Sequence, residues 1–209
     1  MMALEIRRGV TLYFARHGET VANVERRFQG RNDTPLTEHG RMQARILAAV
    51  LAELLAGQPR PRFVSSPLPR ARKTMELVLE ALGLPGNYDT DPRLMEIDLG
   101  DWSALTDDEA KERDPAMWDK RIHDKWNVRV PGGGENYAMV ADRMTEWASE
   151  LDRDTVAISH GAATRILRGL ILGLNAQQMS ALAEPQDCVF RVSDGVLTRH
   201  EYHGPLPPV

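Results

Sequence analysis

A single cysteine, Cys188, in 209 residues leaves no partner for a disulfide and too few thiolates for a metal cage. Its neighbours Val189-Phe190-Arg191-Val192 make it read as a packed strand thiol rather than a nucleophile. Positive charge is not in excess either: 26 Lys and Arg against 30 Asp and Glu give a net charge of −4. A chain that binds nucleic acid regardless of sequence needs a basic face to displace phosphate counterions, so that class is set aside. Long greasy runs are missing. The longest, Ile46 to Ala56, is interrupted by Glu53 and falls short of the ~20 residues that span a bilayer. After Arg7 and Arg8 the apolar run is short and lacks a small-residue cleavage site, so no secretory signal is expected and a cytoplasmic location is the default. Gly132-Gly133-Gly134 has neither the Gly-x-Gly-x-x-Gly spacing nor the preceding strand of a dinucleotide fingerprint, and reads as a flexible turn.

What is present is an ordinary globular balance, 42% hydrophobic and 27% charged, long enough for one well-buried core. A single domain over 1–209 is expected, with an insertion or cap at about 103–130. The run Val10-Thr11-Leu12-Tyr13 reads as a strand ending in Phe14-Ala15-Arg16-His17-Gly18-Glu19-Thr20. An apolar run that stops at Arg-His-Gly-Glu delivers an imidazole and a guanidinium to a strand exit, where open α/β sheets place ligands.

Phe28 to Leu36 is turn-rich and reads as a loop folding back over that exit. Thr37 is a plausible N-cap for a helix carrying Met42, Ile46, Leu47, Val50, Leu51 and Leu54 on one face, stopped by Gly57. Arg62 to Ser66 reads as a second strand. The helix after Pro67-Leu68-Pro69 lines Ala71, Thr74, Met75, Val78, Leu79 and Leu82 on one side. Arg70, Arg72 and Lys73 crowd its first turn, where the macrodipole disfavours cations unless an anion sits nearby. Either a solvated basic face or an anion site fits.

Glu96 and Asp98 among apolar residues fit a surface strand or a carboxyl group in a partly apolar pocket. The basic residues Lys120, Arg121, His123 and Lys125 fit a solvated helix pair or substrate reading. A helix is expected from Asn136, with Tyr137, Val140, Ala141 and Met144 buried. Asp154 to Ser159 is a clear strand ending in His160-Gly161 and followed by a helix, so a second strand exit carries a second histidine. Asp194-Gly195 between two β-rich runs signals a hairpin, and the tail from Gly204 to Val209 reads as extended and mobile.

With the motifs in order, the chain resembles the histidine phosphatase superfamily, also called phosphoglycerate mutase-like. The motifs are Arg16-His17-Gly18-Glu19-Thr20, Asn23, Gln29-Gly30, Asp33-x-Pro35-Leu36-Thr37-x-x-Gly40 and Ser65-Ser66-Pro67-Leu68-x-Arg70-Ala71-x-x-Thr74. They continue with Glu96-x-x-x-Gly100-x-Trp102, Pro131-Gly132-Gly133 and Ser159-His160-Gly161. The resemblance implies an α/β fold, a three-layer α/β/α sandwich with a mostly parallel doubly wound sheet and a C-terminal antiparallel hairpin.

It also implies a metal-independent phosphomonoesterase working through a phosphohistidine, with His17 as nucleophile, Arg16, Arg70 and His160 on the phosphoryl oxygens and Glu96 as general acid. Asn23, Gln29, Gly30 and Gly161 would complete the binding pocket, with no cofactor and no metal. Ala104, where glycine is common, and Asn136, where serine is common, bear on substrate choice. Gln29 and the short middle favour phosphatase over mutase. Phosphoglycerate mutase-type transfer and a catalytically silent phosphoester-binding regulatory module are the alternatives. The partner implied is a small-molecule phosphate ester, with neither nucleic acid nor membrane. Oligomeric state is left open, a homodimer included.

Overall fold

The computed structural model describes residues 3–205. The end of the tail, 206–209, expected from its sequence to be extended and mobile, lies outside the described residues. Six strands form one sheet: β1 (Leu12–Arg16), β2 (Arg62–Ser65), β3 (Asp89–Thr90), β4 (Thr155–Ser159), β5 (Cys188–Ser193) and β6 (Val196–Glu201). Their order is β3-β2-β4-β1-β5-β6, with β1 to β4 mutually parallel and β5 and β6 antiparallel. Asp194 and Gly195 both have positive φ, 49° and 78°, as a type I′ hairpin turn requires. The α/β class, the mostly parallel sheet and the terminal hairpin therefore stand as the sequence led one to expect.

Alternation along the strands sorts the helices into two layers. Leu12 and Phe14 of β1 face one core with Val64, Ala157 and Phe190, against α6 (Tyr137–Ser149), α7 (Gly161–Ile171) and the short α8 (Ala176–Ser180). Tyr13 and Ala15 face the other core with Phe63, Val156 and Ile158, against α2 (Glu38–Leu54) and α3 (Pro69–Ala81). The remaining helices are α1 (Val21–Val24) and the pair α4 (Asp107–Arg113) and α5 (Pro115–His123). That pair gathers Trp102, Ala110 and Val130 into a separate small cluster with Phe28, Leu99, Met117 and Trp118.

Several local expectations shift. β1 begins and ends later than Val10–Tyr13, because its pairing with β4 runs from Leu12–Thr155 to Arg16–Ser159 and continues in the bond from His17 N–H to the Ser159 carbonyl (2.9 Å). Thr37 does cap α2, its hydroxyl accepting from Gly40 N–H. Of the face expected to be buried, Leu47, Val50 and Leu51 are inside and Met42, Ile46 and Leu54 are half-buried, while Ala44 and Ala48 join the buried side. A Cβ at Gly40 would lie 2.0 Å from the Glu19 carbonyl oxygen, so the helix start is pressed against the strand-exit loop.

Met95 to Leu99 is irregular backbone between two 3₁₀ turns, so Glu96 and Asp98 are on no strand. The glycine segment forms a turn, as expected, and its backbone is hydrogen-bonded to its neighbours. Asp101 N–H donates to the Pro131 carbonyl (2.9 Å), and the Arg129 guanidinium donates to the carbonyls of Gly133 and Gly134 (2.9 and 2.8 Å). β3, two residues long, and α8, capped by Asn175, carry too little pattern to be read in advance.

Candidate active site

Parallel pairing of β1, β4 and β2 sets three strand exits side by side. Ser66 N–H bonds to the Ile158 carbonyl (2.9 Å) as His17 N–H bonds to that of Ser159 (2.9 Å), so His17, His160 and Ser66 leave the sheet at one level. Their neighbourhood follows from register alone. The rings of His17 and His160 sit 5.1 Å apart, edge to face, and both residues are buried, at 2% and 0% exposure.

Hydrogen bonds fix the tautomer of His17. Its Nδ1 lies 2.7 Å from the Gly18 carbonyl oxygen, which only accepts, so Nδ1 carries the proton. Nε2 then accepts from Arg70 Nε (3.2 Å). An imidazolium could not make that second bond. Burial, first, and then the charges of Arg70 and Arg16 hold the His17 pKa well below its ordinary 6.5, with the Gly18 carbonyl opposing. The neutral ring, with its Nε2 lone pair accepting from Arg70, is therefore the resting form. His160 is lowered in the same direction, by burial and then by Arg70, His17 and Arg16. Its Nε2 lies 2.7 Å from Ser66 Oγ, and its Nδ1 is buried without a partner.

Arg70 is a buried guanidinium at 2% exposure, and the turn-rich loop before α2 accounts for how it is tolerated. That loop wraps it: Arg70 donates to the carbonyls of Gly30 (2.7 Å) and Asn32 (2.7 Å) and to the Asp33 carboxylate (3.1 Å). Asp33 also accepts from Arg70 N–H (3.2 Å) and so caps α3, whose own N-cap, Leu68, cannot. The positive crowding read there as a clue to a bound anion is met in part by the chain's own carboxylate. Arg72 and Lys73 point away; Arg72 reaches the Tyr88 hydroxyl (3.3 Å) and lines no part of the site.

Arg16, His17, Asn23, Gln29, Gly30, Arg70 and Glu96 all line one cavity of about 350 Å³. Glu96 is half-buried, one oxygen accepting from Ala162 N–H (3.2 Å) at the α7 N-terminus and the other from Ile97 N–H (2.9 Å). Asn23 caps and is capped by Thr20, and its Oδ1 also accepts from Gln186. Gln29 Nε2 donates to the Thr20 hydroxyl. Gly161 lies behind the lining, where a Cβ would meet the Glu184 carboxylate at 2.5 Å. Arg121 and Lys125 join the wall, whereas Lys120 and His123 are exposed and lie outside it.

Four residues of the site carried no usable signal. Glu184 pairs with Arg16 (3.7 Å) and Arg165 (3.0 Å), and its carbonyl accepts from Arg16 (2.7 Å). Gln186 donates to the His17 carbonyl (3.0 Å). Ser66 stood only inside a motif, and Arg165 only inside a helix. Glu184 and Gln186 come from a polar loop before β5, placed here by the return of the chain and by nothing local. Among the described residues no cluster of His, Cys, Asp and Glu side chains is disposed to hold a metal ion, and no helix is long and apolar enough to cross a membrane.

Residues 12–194 match the family described as histidine phosphatase superfamily (branch 1). A glucosyl-3-phosphoglycerate phosphatase of Mycolicibacterium vanbaalenii is 36% identical over 186 residues, 82% of this chain and 76% of that protein. A protein named probable phosphoglycerate mutase GpmB, from Salmonella paratyphi C, is 34% identical over 170 residues, 79% of this chain and 76% of its own. Among solved structures, the α-ribazole phosphatase of Shigella flexneri superposes with a TM-score of 0.77 at 26% identity, covering 92% of this chain and 95% of that one. A mycobacterial glucosyl-3-phosphoglycerate phosphatase in complex with VO3 gives 0.72 at 33%, covering 92% and 96%.

Proposed function

Since the chain belongs to branch 1 of the histidine phosphatase superfamily, we propose that it is a phosphomonoesterase that hydrolyses a small phosphorylated metabolite through a phosphorylated His17. The observation that carries this reading is the state of His17: buried, neutral, protonated on Nδ1, with its Nε2 lone pair held beside a guanidinium. Nε2 attacks phosphorus in line, the bond from phosphorus to the alcohol oxygen breaks, and Glu96 gives that oxygen its proton. Water then attacks the phosphohistidine, loses a proton to Glu96, and releases phosphate and the original imidazole.

Charge on the transferring phosphoryl group meets Arg70, Arg16 and His160. The unpartnered Arg16 Nε and His160 Nδ1 are donors that a phosphoryl oxygen would satisfy. Gln29 Oε1 is also buried and unpartnered; with its amide turned over it accepts the Thr20 hydroxyl proton and offers its NH₂ to the anion instead. The Asn23 amide adds a donor, Gly161 leaves room for the Glu184 contact with Arg16, and the Gly30 carbonyl holds Arg70. We read residues 1–209 as one domain in which 103–130 is a cap over this floor, held by the small cluster around Trp102 and Trp118 and, through Trp126, by the main core.

The GpmB relatives keep a second reading in play, in which a substrate hydroxyl rather than water takes the phosphoryl group. Incubation with phenyl phosphate and with 3-phosphoglycerate separates the readings. Steady release of inorganic phosphate is expected; isomerised phosphoglycerate with little release would establish the mutase, and no reaction with either compound, nor with a panel of small phosphate esters, would leave only a binding module.

A further inference from the structure

Glu96 is the reacting group that no strand exit fixes. Arg16, His17 and His160 are set by the ladder, whereas Glu96 rides on the irregular stretch from Met95 to Leu99. Its carboxylate accepts from the backbone N–H groups of Ile97 and Ala162, which follow its position rather than decide it. An acid misplaced by about 1 Å loses on the order of 10²-fold in rate, so something has to bring this stretch into line with the floor.

Two tethers hold its near end. The Ser159 hydroxyl, at the end of β4, donates to the Leu94 carbonyl (2.7 Å), and Arg143 of α6 donates to the Arg93 carbonyl (2.5 Å). The far end is held through Glu135, whose carboxylate accepts from Asp98 N–H (2.9 Å) while its own N–H donates to the Asp98 carbonyl (2.8 Å). Arg143 closes the frame, its Nε and Nη2 donating to the two carboxylate oxygens of Glu135 at 3.2 Å each. One guanidinium thus spans both ends of the stretch, with Glu96 between them. Close packing leaves the far end little play: a Cβ at Gly134 would come 2.8 Å from the Asp98 carbonyl oxygen, and one at Gly100 would come 2.0 Å from that of Pro131.

The side chains of Arg143 and Glu135 are only 14% and 9% exposed, and neither lines the cavity. A pair so far out of water adds little net stability, because desolvation offsets the attraction. What a bidentate fork does supply is fixed direction.

We propose that Arg143 and Glu135 are positioning residues for the proton transfers of Glu96, acting from behind the cavity wall on the reach of its carboxyl group and touching no substrate. The proposal rests on the reading of Glu96 as general acid. Loss of the pair then costs most where the leaving oxygen needs a proton.

The test is kcat/KM for propyl phosphate divided by that for 4-nitrophenyl phosphate, whose leaving group departs without a proton. The folded fraction of a preparation cancels in this ratio, so a merely structural loss leaves it alone. In Glu135→Gln the ratio should fall at least about fivefold. Arg143→Lys keeps the charge that helps to hold His160 low but cannot reach both ends of the stretch at once, and should lower the ratio in the same way. Combined, the two changes should cost little more than the larger single effect, since they break one frame. An unchanged ratio in either variant, or losses that simply multiply in the double variant, overturns the proposal; should Glu135→Gln fail to fold, Arg143→Lys alone decides it.

A wild type that hydrolyses neither ester, or a ratio unmoved in Glu96→Gln, sinks the reading of Glu96 instead. The Ala162 amide resonance then decides the positioning, because that N–H donates to the Glu96 carboxylate. In Glu135→Gln it should shift toward its place in Glu96→Ala, and an unmoved resonance overturns the positioning as well.

Discussion

The floor and the roof of the cavity are built by different rules. On the floor, Arg16 and His17 leave the end of β1, and Ser66 and His160, which are buried beside them and do not line the cavity, leave the adjoining parallel strands. The ladder places all four to within a hydrogen bond, and the whole is buried under two helical layers. The roof consists of two short helices, of 7 and 9 residues, with largely exposed outer faces, held by a tilted stack of Phe28, Trp102 and Trp118 with ring centroids 5.4 to 6.5 Å apart. Short helices have little stability of their own, so the roof depends for its position on what it packs against: these three rings, Trp126 against the main core, and the backbone bonds that Lys125 and Trp126 accept from the start of α6. The floor can hold one geometry for one reaction, while the roof can change its residues without disturbing it.

The sharpest way to break this contrast is at the floor's nucleophile. His17→Ala should lose more than about 10³-fold in kcat and form no acid-labile phosphoenzyme, with the fold retained by circular dichroism. Normal turnover in that variant would remove the covalent mechanism. Next comes the acid at the junction of floor and roof: Glu96→Gln should slow alkyl phosphates by about 10²-fold or more and aryl phosphates, whose leaving group needs no proton, far less. Equal slowing, read from kcat/KM for the two ester types, would count against its role.

Arg70→Met tests how far the floor is over-determined. It leaves the carbonyls of Gly30 and Asn32 without their guanidinium donor and the Asp33 carboxylate with only the backbone N–H of residue 70, and should cost about 3 kcal/mol in urea denaturation together with a raised KM. A neutral result would mean that the loop 28–36 is held by something other than Arg70.

Two buried neutral histidines also give the floor a pH signature. The unfolded chain takes up protons on both near pH 6.5, while the folded floor does not until well below that value. Stability is therefore complete above about pH 6.5 and falls as pH drops below it, with a limiting slope of about 2.7 kcal/mol per pH unit for two sites. The acid limb of kcat/KM likewise falls well under pH 6.5. Urea melts across pH 4–8 check this, and inorganic phosphate should flatten the slope because an anion favours the charged rings. A smaller effect belongs to the roof: Trp118→Ala, half-buried, should destabilise by about 1–2 kcal/mol and shift KM several-fold with kcat nearly intact.

The floor was legible in the sequence because its order is local. Two apolar runs each ending in a histidine, a loop rich in turn residues and a proline-led helix with an early arginine are patterns of strand, turn and helix, and the ladder turns their adjacency into contact. The roof was not. Lys120, Arg121, His123 and Lys125 look alike as letters, and only packing against Tyr137 separates Arg121 and Lys125 from the two that face solvent. Glu184 and Gln186 were silent for the same reason: their role depends on where a returning loop lands, which no periodicity encodes. Cys188 was read from its strand context, and burial does push its thiol up to about 11.

Rapid acid-free quenching of the wild-type protein during turnover of a phosphate ester, followed by peptide mass spectrometry, addresses the floor most directly. One phosphoryl group on His17, stable to alkali and lost in acid, is the expected finding. Phosphate on any other residue, or none at His17 while the ester is being hydrolysed, would contradict it.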